Sequence, residues 1–187
     1  VSEPSVVKSF VVTTDTPEMP VPPTEEIIAS IPDHPRVFVT PDTLDEFRAR
    51  RETVAEEAWK DIQARADGSL DVAIPDLKLK PMPEDPGGSR KQVFYLQDGE
   101  AFVPAGFDNR DLRSAAYRAN ILSLAWLISD EERYAEAAVR WAEFVAPFRM
   151  DYHLEDRGQH DTVVYNYEAG LKGVAVAYDR LYYRLSD

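Results

Sequence analysis

Three amphipathic segments near the C-terminal end constrain the possible folds more than any other feature of the sequence. Residues 112–128 carry two apolar stripes, which predicts a helix that is buried over much of its circumference. Residues 134–145 have one apolar face, and residues 164–181 repeat apolar side chains, including Leu171 and Tyr178, in steps of three and four. We therefore expect an all-α domain of helical hairpins, which builds either an α-solenoid or an α/α toroid.

The junctions between these segments follow a repeated pattern. Ser129 lies three residues before Glu132, which is the spacing of a capping box, so Ser129 is the predicted N-cap of the second helix. Residues 185–187 resemble residues 128–130 and predict the start of another helix. Because an amphipathic helix needs a partner, we expect the domain formed by residues 34–187 to be truncated at its C-terminal end.

The N-terminal part of the chain has a different character. Residues 1–33 are rich in proline, which removes backbone donors, and they are predicted to form an extended arm and linker. Thr40 followed by Pro41 is typical of a helix start. Apolar residues then continue on one face to Ala66, and Gly68 ends the pattern, so one helix is expected between these points.

A long segment without helical periodicity follows. Residues 69–111 contain several prolines and glycines that interrupt regular elements. Within it, the β-prone residues 93–96 and 101–103 flank a Gln-Asp-Gly-Glu sequence, and Asp-Gly favours a tight turn. We expect a small β-hairpin here.

The charge balance excludes some partners. The chain of 187 residues has 34 acidic and 21 basic side chains and a net charge of −13, which argues against a nucleic-acid surface. Arg110, Arg113 and Arg118 nevertheless lie close together, so a basic groove on an acidic body is possible. The sequence has no cysteine for disulfides, and it has no run of about 18 apolar residues that would predict a membrane span.

Two sets of sequence phrases resemble one enzyme family. Residues 34–41 read His-Pro-Arg-Val-Phe-Val-Thr-Pro and lead into a predicted helix, as at the opening of the heparinase II/III-like polysaccharide lyases. Residues 125–134 (Ala-Trp-Leu-Ile-Ser-Asp-Glu-Glu-Arg-Tyr) and 177–182 (Ala-Tyr-Asp-Arg-Leu-Tyr) resemble the toroid hairpins of that family. The similarity covers roughly residues 24–187.

This resemblance implies the N-terminal part of an incomplete α/α toroid in a secreted or periplasmic lyase. Such an enzyme cleaves an acidic, uronate-containing polysaccharide by β-elimination, and this part would form one wall of the substrate cleft. A Tyr or His removes the C5 proton, while Asn, His, Arg or Glu neutralises the carboxylate. The family's main catalytic residues lie in later hairpins and the following domain, so no catalytic residue is assigned within residues 1–187 and the chain alone is expected to be inactive.

We expect neither a cofactor nor a metal in this part of the protein. His34, His153 and His160 lack the spacing of a zinc site. The sequence also has no glycine-rich phosphate loop and no nucleophile elbow. The expected partners are an acidic polysaccharide and the rest of the same protein, with no nucleic acid and no membrane.

The candidate substrate contacts lie near the starts of the first and third helices, which would open on the cleft of a toroid. They combine amides, aromatic rings and cations, which suit sugar hydroxyls, sugar rings and uronate carboxylates. The candidates are Asn109, Arg110, Arg113, Tyr117, Asn120, His160, Tyr165 and Asn166. Ordinary ion pairs of the arginines, solvation of His160 beside a helix cap and core packing of Tyr117 are the competing explanations.

Two other functions fit the same sequence. A glycoside hydrolase on a toroid would place paired Asp and Glu side chains at its cleft. A non-catalytic helical repeat that binds protein or carbohydrate would show no concentration of polar side chains at one end of its inner helices.

Overall fold

The computed structural model describes residues 22–77, 79–81, 94–96, 101–103, 109–150 and 160–185. In strands β1 to β3, at residues 149–150 and at the helix starts 109–110 and 160–169, it describes the backbone alone. The chain divides into two units between Pro32 and Asp33.

The described part of the chain is mostly helical, as predicted. Its helices are α1 (Thr24–Ser30), α2 (Pro41–Ala49), α3 (Glu56–Leu70), α4 (Asn109–Ser129), α5 (Glu132–Val145) and α6 (His160–Leu185). Its strands are β1 (Lys80–Pro81), β2 (Phe94–Leu96), β3 (Ala101–Val103) and β4 (Phe148–Met150). The three helices predicted from the amphipathic segments are confirmed as α4, α5 and α6.

Helix α4 occupies the centre of the second unit. It packs along both α5 and α6, which also contact each other, and α3 lies against α4 and α5. Small and branched side chains of α4 are buried on several sides, which fits its two apolar stripes. From α5, Tyr134, Ala138 and Trp141 are buried, and Ala177 and Leu181 are buried from α6.

Helices α4 and α6 approach each other closely at a glycine. A Cβ atom added to Gly173 would lie 2.8 Å from the backbone oxygen of Ala116 and 3.2 Å from its Cβ atom. Backbone cannot move aside as a flexible side chain can, so the absence of a side chain at Gly173 sets the distance between the two helices.

The predicted helix between Pro41 and Ala66 is wrong as a single element. Thr40 caps α2 and Pro41 is its first residue, as expected. The helix then tightens into a 3₁₀ turn, Arg50–Glu52, and breaks at Thr53, where φ is −134° and ψ is −111°. Thr53 and Val54 are β-branched and so favour extended backbone, and the break lies next to an arginine that is held by another helix.

Two arginines close to the break bind the C-terminal end of α4. Arg48 Nε donates to the carbonyl oxygen of Leu127 at 2.8 Å, and Arg51 Nη1 donates to that of Ile128 at 2.8 Å. Cations at the C-terminal end of a helix satisfy its last carbonyls and interact favourably with its dipole. A straight helix from Pro41 to Ala66 would gain local hydrogen bonds but lose these contacts with α4.

The predicted capping box at Ser129 is also wrong. Ser129 is the last residue of α4, and Glu131 is the N-cap of α5. Asp130 has φ of 62°, and its N–H donates to the carbonyl oxygen of Trp126 at 2.7 Å, which ends α4 in a left-handed turn. The Ser129 hydroxyl accepts from the N–H of Glu131 at 3.2 Å, so it supports the turn and caps no helix.

The prediction of an extended arm over residues 1–33 is wrong at α1, which is helical. Pro23 precedes this helix, and Glu25 and Glu26 occupy its first turn, where acidic side chains interact favourably with the helix dipole. No proline interrupts residues 24–31, so the composition that favours an extended arm is confined to neighbouring positions.

The predicted hairpin is confirmed by the antiparallel pairing of β2 and β3, with Phe94 opposite Val103 and Tyr95 opposite Phe102. β1 and β4 add to its two edges, and the strand order is β1-β3-β2-β4.

The apolar side chains that repeat over residues 164–181 of α6 were expected to be buried, and two of them are not. Leu171 is 52% exposed and Tyr178 is 48% exposed, whereas Leu181 is fully buried. Near the close approach to α4, the buried residues of α6 include the small Gly173 and Ala177. Because the two backbones are in close contact there, Leu171 and Tyr178 remain exposed outside the interface.

We expect Gly173→Ala to destabilise the protein by about 1–3 kcal/mol, because the new methyl group forces α4 and α6 apart. Gly68→Ala is the matched control, since a Cβ atom at Gly68 meets nothing within 4 Å and the change removes a helix-interior glycine. It should be neutral or stabilise by up to about 1 kcal/mol. Urea unfolding followed by circular dichroism measures both, and equal effects would contradict the close packing.

Because of Tyr134, we expect the protein to lose stability at high pH. Its hydroxyl donates to Asp67 Oδ1 at 2.7 Å and accepts from Arg133 Nη2 at 2.7 Å. Burial, with help from the hydrogen bond to Asp67, raises the pKa of Tyr134 from 10.0 to about 12. The stabilisation is fully present below pH 10 and is lost as the pH rises through about 12. Tyr134→Phe should lower stability at neutral pH and flatten the decline above pH 10; an unchanged alkaline slope would contradict this assignment.

Candidate functional site

The His-Pro-Arg phrase near the start of the second unit is bound by one carboxylate of α6. Asp179 is only 4% exposed and His34 is 9% exposed. His34 Nδ1 lies 2.7 Å from Asp179 Oδ1, and because a carboxylate here accepts from its other neighbours, Nδ1 is the donor. The N–H of Arg36 donates to Oδ1 and Oδ2 at 3.0 and 3.1 Å, and the N–H of Val37 donates to Oδ2 at 3.1 Å.

Two aromatic rings of α6 complete this binding site for His34. The imidazole is stacked on the Tyr182 ring with centroids 3.9 Å apart and an interplanar angle of 11°. Tyr178 meets it edge-on at 6.1 Å. The His34–Pro35 peptide bond is cis. Two of the three phrases that carry the family resemblance, residues 34–41 and 177–182, are therefore in direct contact.

Arg180, next to Asp179, connects α6 to α4. Its Nη1 atom donates to the backbone oxygen of Asn120 at 3.0 Å, to Asn120 Oδ1 at 2.7 Å, and lies 3.3 Å from the Ser123 hydroxyl. Burial lowers the pKa of Arg180 from 12.5 to about 10, while the nearby Asp179 opposes the shift. The guanidinium is still a cation at neutral pH.

A groove of about 610 Å³ lies where the bound segment, α4 and α6 meet. We call it the basic groove. Its described lining residues are Phe38, Arg113, Tyr117, Asn120, Leu124, Lys172, Gly173, Val176 and Arg180. Three of these side chains are cations and none is acidic, in a chain whose net charge is −13.

A second depression of about 640 Å³ adjoins the basic groove, because Arg113 and Tyr117 line both. We call it the α3 depression; its other described lining residues are Arg65, Gly68, Ser69, Ser114 and Arg118. Arg65 pairs with Asp61 at 2.9 Å and lies 3.4 Å from the Tyr117 hydroxyl, and Arg118 lies over the Trp141 ring at 5.0 Å.

Three of the predicted contact residues come together in the basic groove. Arg113, Tyr117 and Asn120 are spaced by four and three residues and share one face of α4. Tyr117 is 45% exposed, so the core explanation for this residue is wrong. Asn120 has a structural role, because its backbone oxygen and its Oδ1 atom both accept hydrogen bonds from Arg180.

The other predicted contacts lie outside the side chains that the structure describes. Asn109 and His160 are the first residues of α4 and α6. Arg110 follows Asn109 in α4, and Tyr165 and Asn166 belong to α6.

Among the lining residues that the sequence did not predict, Phe38, Lys172 and Arg180 carry an aromatic ring or a positive charge. A signal existed for two of them, since Lys172, Val176 and Arg180 recur every four residues and so share a face of α6. Phe38 had no such signal, because it reaches the groove only through the binding of its segment to Asp179, a residue about 140 positions away.

Among the described side chains, no three His, Asp or Glu residues are grouped so that they could hold a metal ion. No helix in the described ranges is long and apolar enough to cross a membrane.

Comparison with known proteins gives no family assignment. No family model matches the chain, and no curated protein matches its sequence.

We expect Asp179→Asn to destabilise the protein by about 2–4 kcal/mol, because it removes the buried carboxylate that accepts hydrogen bonds from His34, Arg36 and Val37. Asp130→Asn is the matched control. Its side chain is exposed and pairs with Arg48 at 3.1 Å, and asparagine tolerates its positive φ, so a change below about 0.5 kcal/mol is expected. Thermal and urea unfolding distinguish the two, and an Asp179→Asn protein as stable as the control would show that the carboxylate is dispensable.

Proposed function

We propose that this chain binds an acidic, uronate-containing polysaccharide in the basic groove, and that it forms one wall of the substrate cleft of a polysaccharide lyase with an incomplete α/α toroid. The observation that carries the proposal is the set of cations, Arg113, Lys172 and Arg180, in a groove without a described acidic lining residue.

The charge of the rest of the chain strengthens this interpretation. A net charge of −13 repels polyanions in general, so a concentration of cations in one concave place is informative about its ligand. Arginine suits the planar uronate carboxylate because its donors form a fork that matches two oxygens. Arg113 is exposed at the groove, and Arg180 is held in place by Asn120.

The neutral lining residues also suit a sugar chain. Phe38 and Tyr117 present aromatic rings, and Tyr117 adds a hydroxyl. Sugar recognition combines apolar ring faces with a few oriented polar groups. The groove and the α3 depression, which share Arg113 and Tyr117, together suit a linear polymer better than a single small molecule.

For β-elimination, the groove would supply charge neutralisation. A base removes the C5 proton, the electron pair forms the C4–C5 double bond, and the C4–O bond to the next sugar breaks. The intermediate charge is shared with the carboxylate, and a nearby cation stabilises it. We assign this neutralising role to Arg113 and Lys172, and we assign the base to no residue of this chain.

A hydrolase on a similar scaffold has less support. Glycoside hydrolysis uses two carboxylic side chains on either side of the scissile bond. No described lining residue of the basic groove or of the α3 depression is acidic. The same cluster of cations argues against a helical repeat that lacks a defined polar site. A secreted or periplasmic location belongs to the same proposal, because such polymers are extracellular.

Binding to polygalacturonate, alginate, hyaluronan and heparan sulfate, measured by isothermal titration calorimetry, tests this proposal. We expect at least one polyuronate to bind the chain and uncharged dextran to fail. Arg113→Gln and Lys172→Gln should each weaken binding about 3- to 10-fold and reduce its dependence on salt, since each removes one screened attraction.

Lys60→Gln is the matched control for lost charge. Lys60 lies on α3, pairs with Glu56 and Glu57, and does not line the groove, so its loss should leave affinity unchanged. Absence of binding to every polyuronate, or equal losses in all three variants, would overturn the proposed site. The chain alone should produce no ultraviolet absorbance from unsaturated uronate.

A further inference from the structure

Among the described side chains, Phe38 is the most exposed aromatic residue, at 76%, and it lines the basic groove. A single exposed apolar side chain on a protein surface is ordinary. Phe38 differs because it borders a concave site that also holds three cations, where a flat apolar ring can contact a bound ligand. Leu124 and Val176 add apolar surface to the lining of the same groove.

The backbone on both sides of Phe38 is held. Before it, the N–H groups of Arg36 and Val37 donate to the carboxylate of Asp179. After it, Val39 is 7% exposed and therefore buried, and Thr40 begins the cap of α2. The ring thus projects from a fixed segment, although the ring itself is largely free of contacts. An exposed aromatic ring on a rigid backbone lowers the entropy cost of binding.

We propose that Phe38 is a stacking platform for one sugar ring of the polymer, and that the binding of residues 34–37 to Asp179 is the device that positions it. This inference rests on the proposed function and deepens it. In this arrangement, Arg113 and Lys172 recognise the carboxylate, while Phe38 recognises the apolar face of a sugar ring, whatever its charge. Arg180 follows Asp179 directly, so one turn of α6 fixes both the platform and a cation of the groove.

The first experiment separates stacking from charge. Titrations use a uronate hexasaccharide from the polymer that binds best and, as a polyanion without sugar rings, poly-glutamate of similar charge. Phe38→Ala should weaken hexasaccharide binding about 3- to 10-fold with an unchanged salt dependence, and should leave poly-glutamate binding unchanged. Arg113→Gln should weaken both ligands and reduce the salt dependence for both.

A second variant tests contact with the sugar directly. Phe38→Trp keeps a flat ring, so it should retain affinity within about twofold, and its added fluorescence should change when the hexasaccharide binds. The corresponding control is Val54→Trp, at an exposed position between α2 and α3 outside the groove, which should give no change.

A double-mutant cycle tests the positioning role of Asp179. If the carboxylate acts through Phe38, Asp179→Asn should weaken hexasaccharide binding, as Phe38→Ala does. The double variant should then lose no more affinity than the single variant with the larger loss. Additive losses would show that Asp179 does not act through Phe38. Should Asp179→Asn fail to fold, the fluorescence experiment still decides whether Phe38 meets the sugar.

These outcomes distinguish the two proposals. A wild-type chain that binds no polyuronate overturns the proposed function. A chain that binds the hexasaccharide with unchanged affinity after Phe38→Ala, or without a fluorescence change in Phe38→Trp, overturns the platform alone and leaves the charged groove intact.

Discussion

One buried carboxylate, that of Asp179, holds together parts of the chain that are about 140 residues apart. It accepts hydrogen bonds from a histidine ring and from two successive backbone N–H groups, so the path of residues 34–37 is fixed on α6. A buried carboxylate is costly unless every lone pair finds a donor, and here the donors come mainly from the other segment. The α2–α3 region thereby gains one attachment to α6 and, through Arg48 and Arg51, another to the end of α4.

The dimensions of the groove follow from the way α4 and α6 are joined. Close contact at Gly173 and Ala116 brings the two backbones together near one end of the groove, and Arg180 spans from α6 to Asn120 further along. The described lining of the groove therefore combines Gly173 with longer side chains of α4 and α6. Asn120 lines the groove, but its oxygens accept hydrogen bonds from Arg180, so its task is to orient that arginine.

The sequence predicted the local elements well and the long-range contacts poorly. Periodicity placed α4, α5 and α6 because each buries a face along its own length. The break after α2 escaped prediction because it lies beside Arg48 and Arg51, which donate hydrogen bonds to the end of α4. The turn at Asp130 escaped prediction because a non-glycine residue there adopts a positive φ, which the spacing of Ser129 and Glu132 did not indicate. In the groove, Arg113, Tyr117 and Asn120 could be predicted from one helix, whereas Phe38 required a contact that no local pattern encodes.

The contrast between an acidic chain and a basic groove has a consequence for specificity. At physiological ionic strength, charges more than about 8 Å apart are strongly screened, so the acidic body repels a polyanion only weakly at long range. Under the proposed function, screening would be weaker within the groove, where Arg113, Lys172 and Arg180 would attract the polymer together with the aromatic rings. Elsewhere, the excess of acidic side chains in a chain of net charge −13 would disfavour such a polymer at short range. Such an arrangement would favour binding in the groove over binding elsewhere on the surface, a preference that a uniformly basic surface would not give.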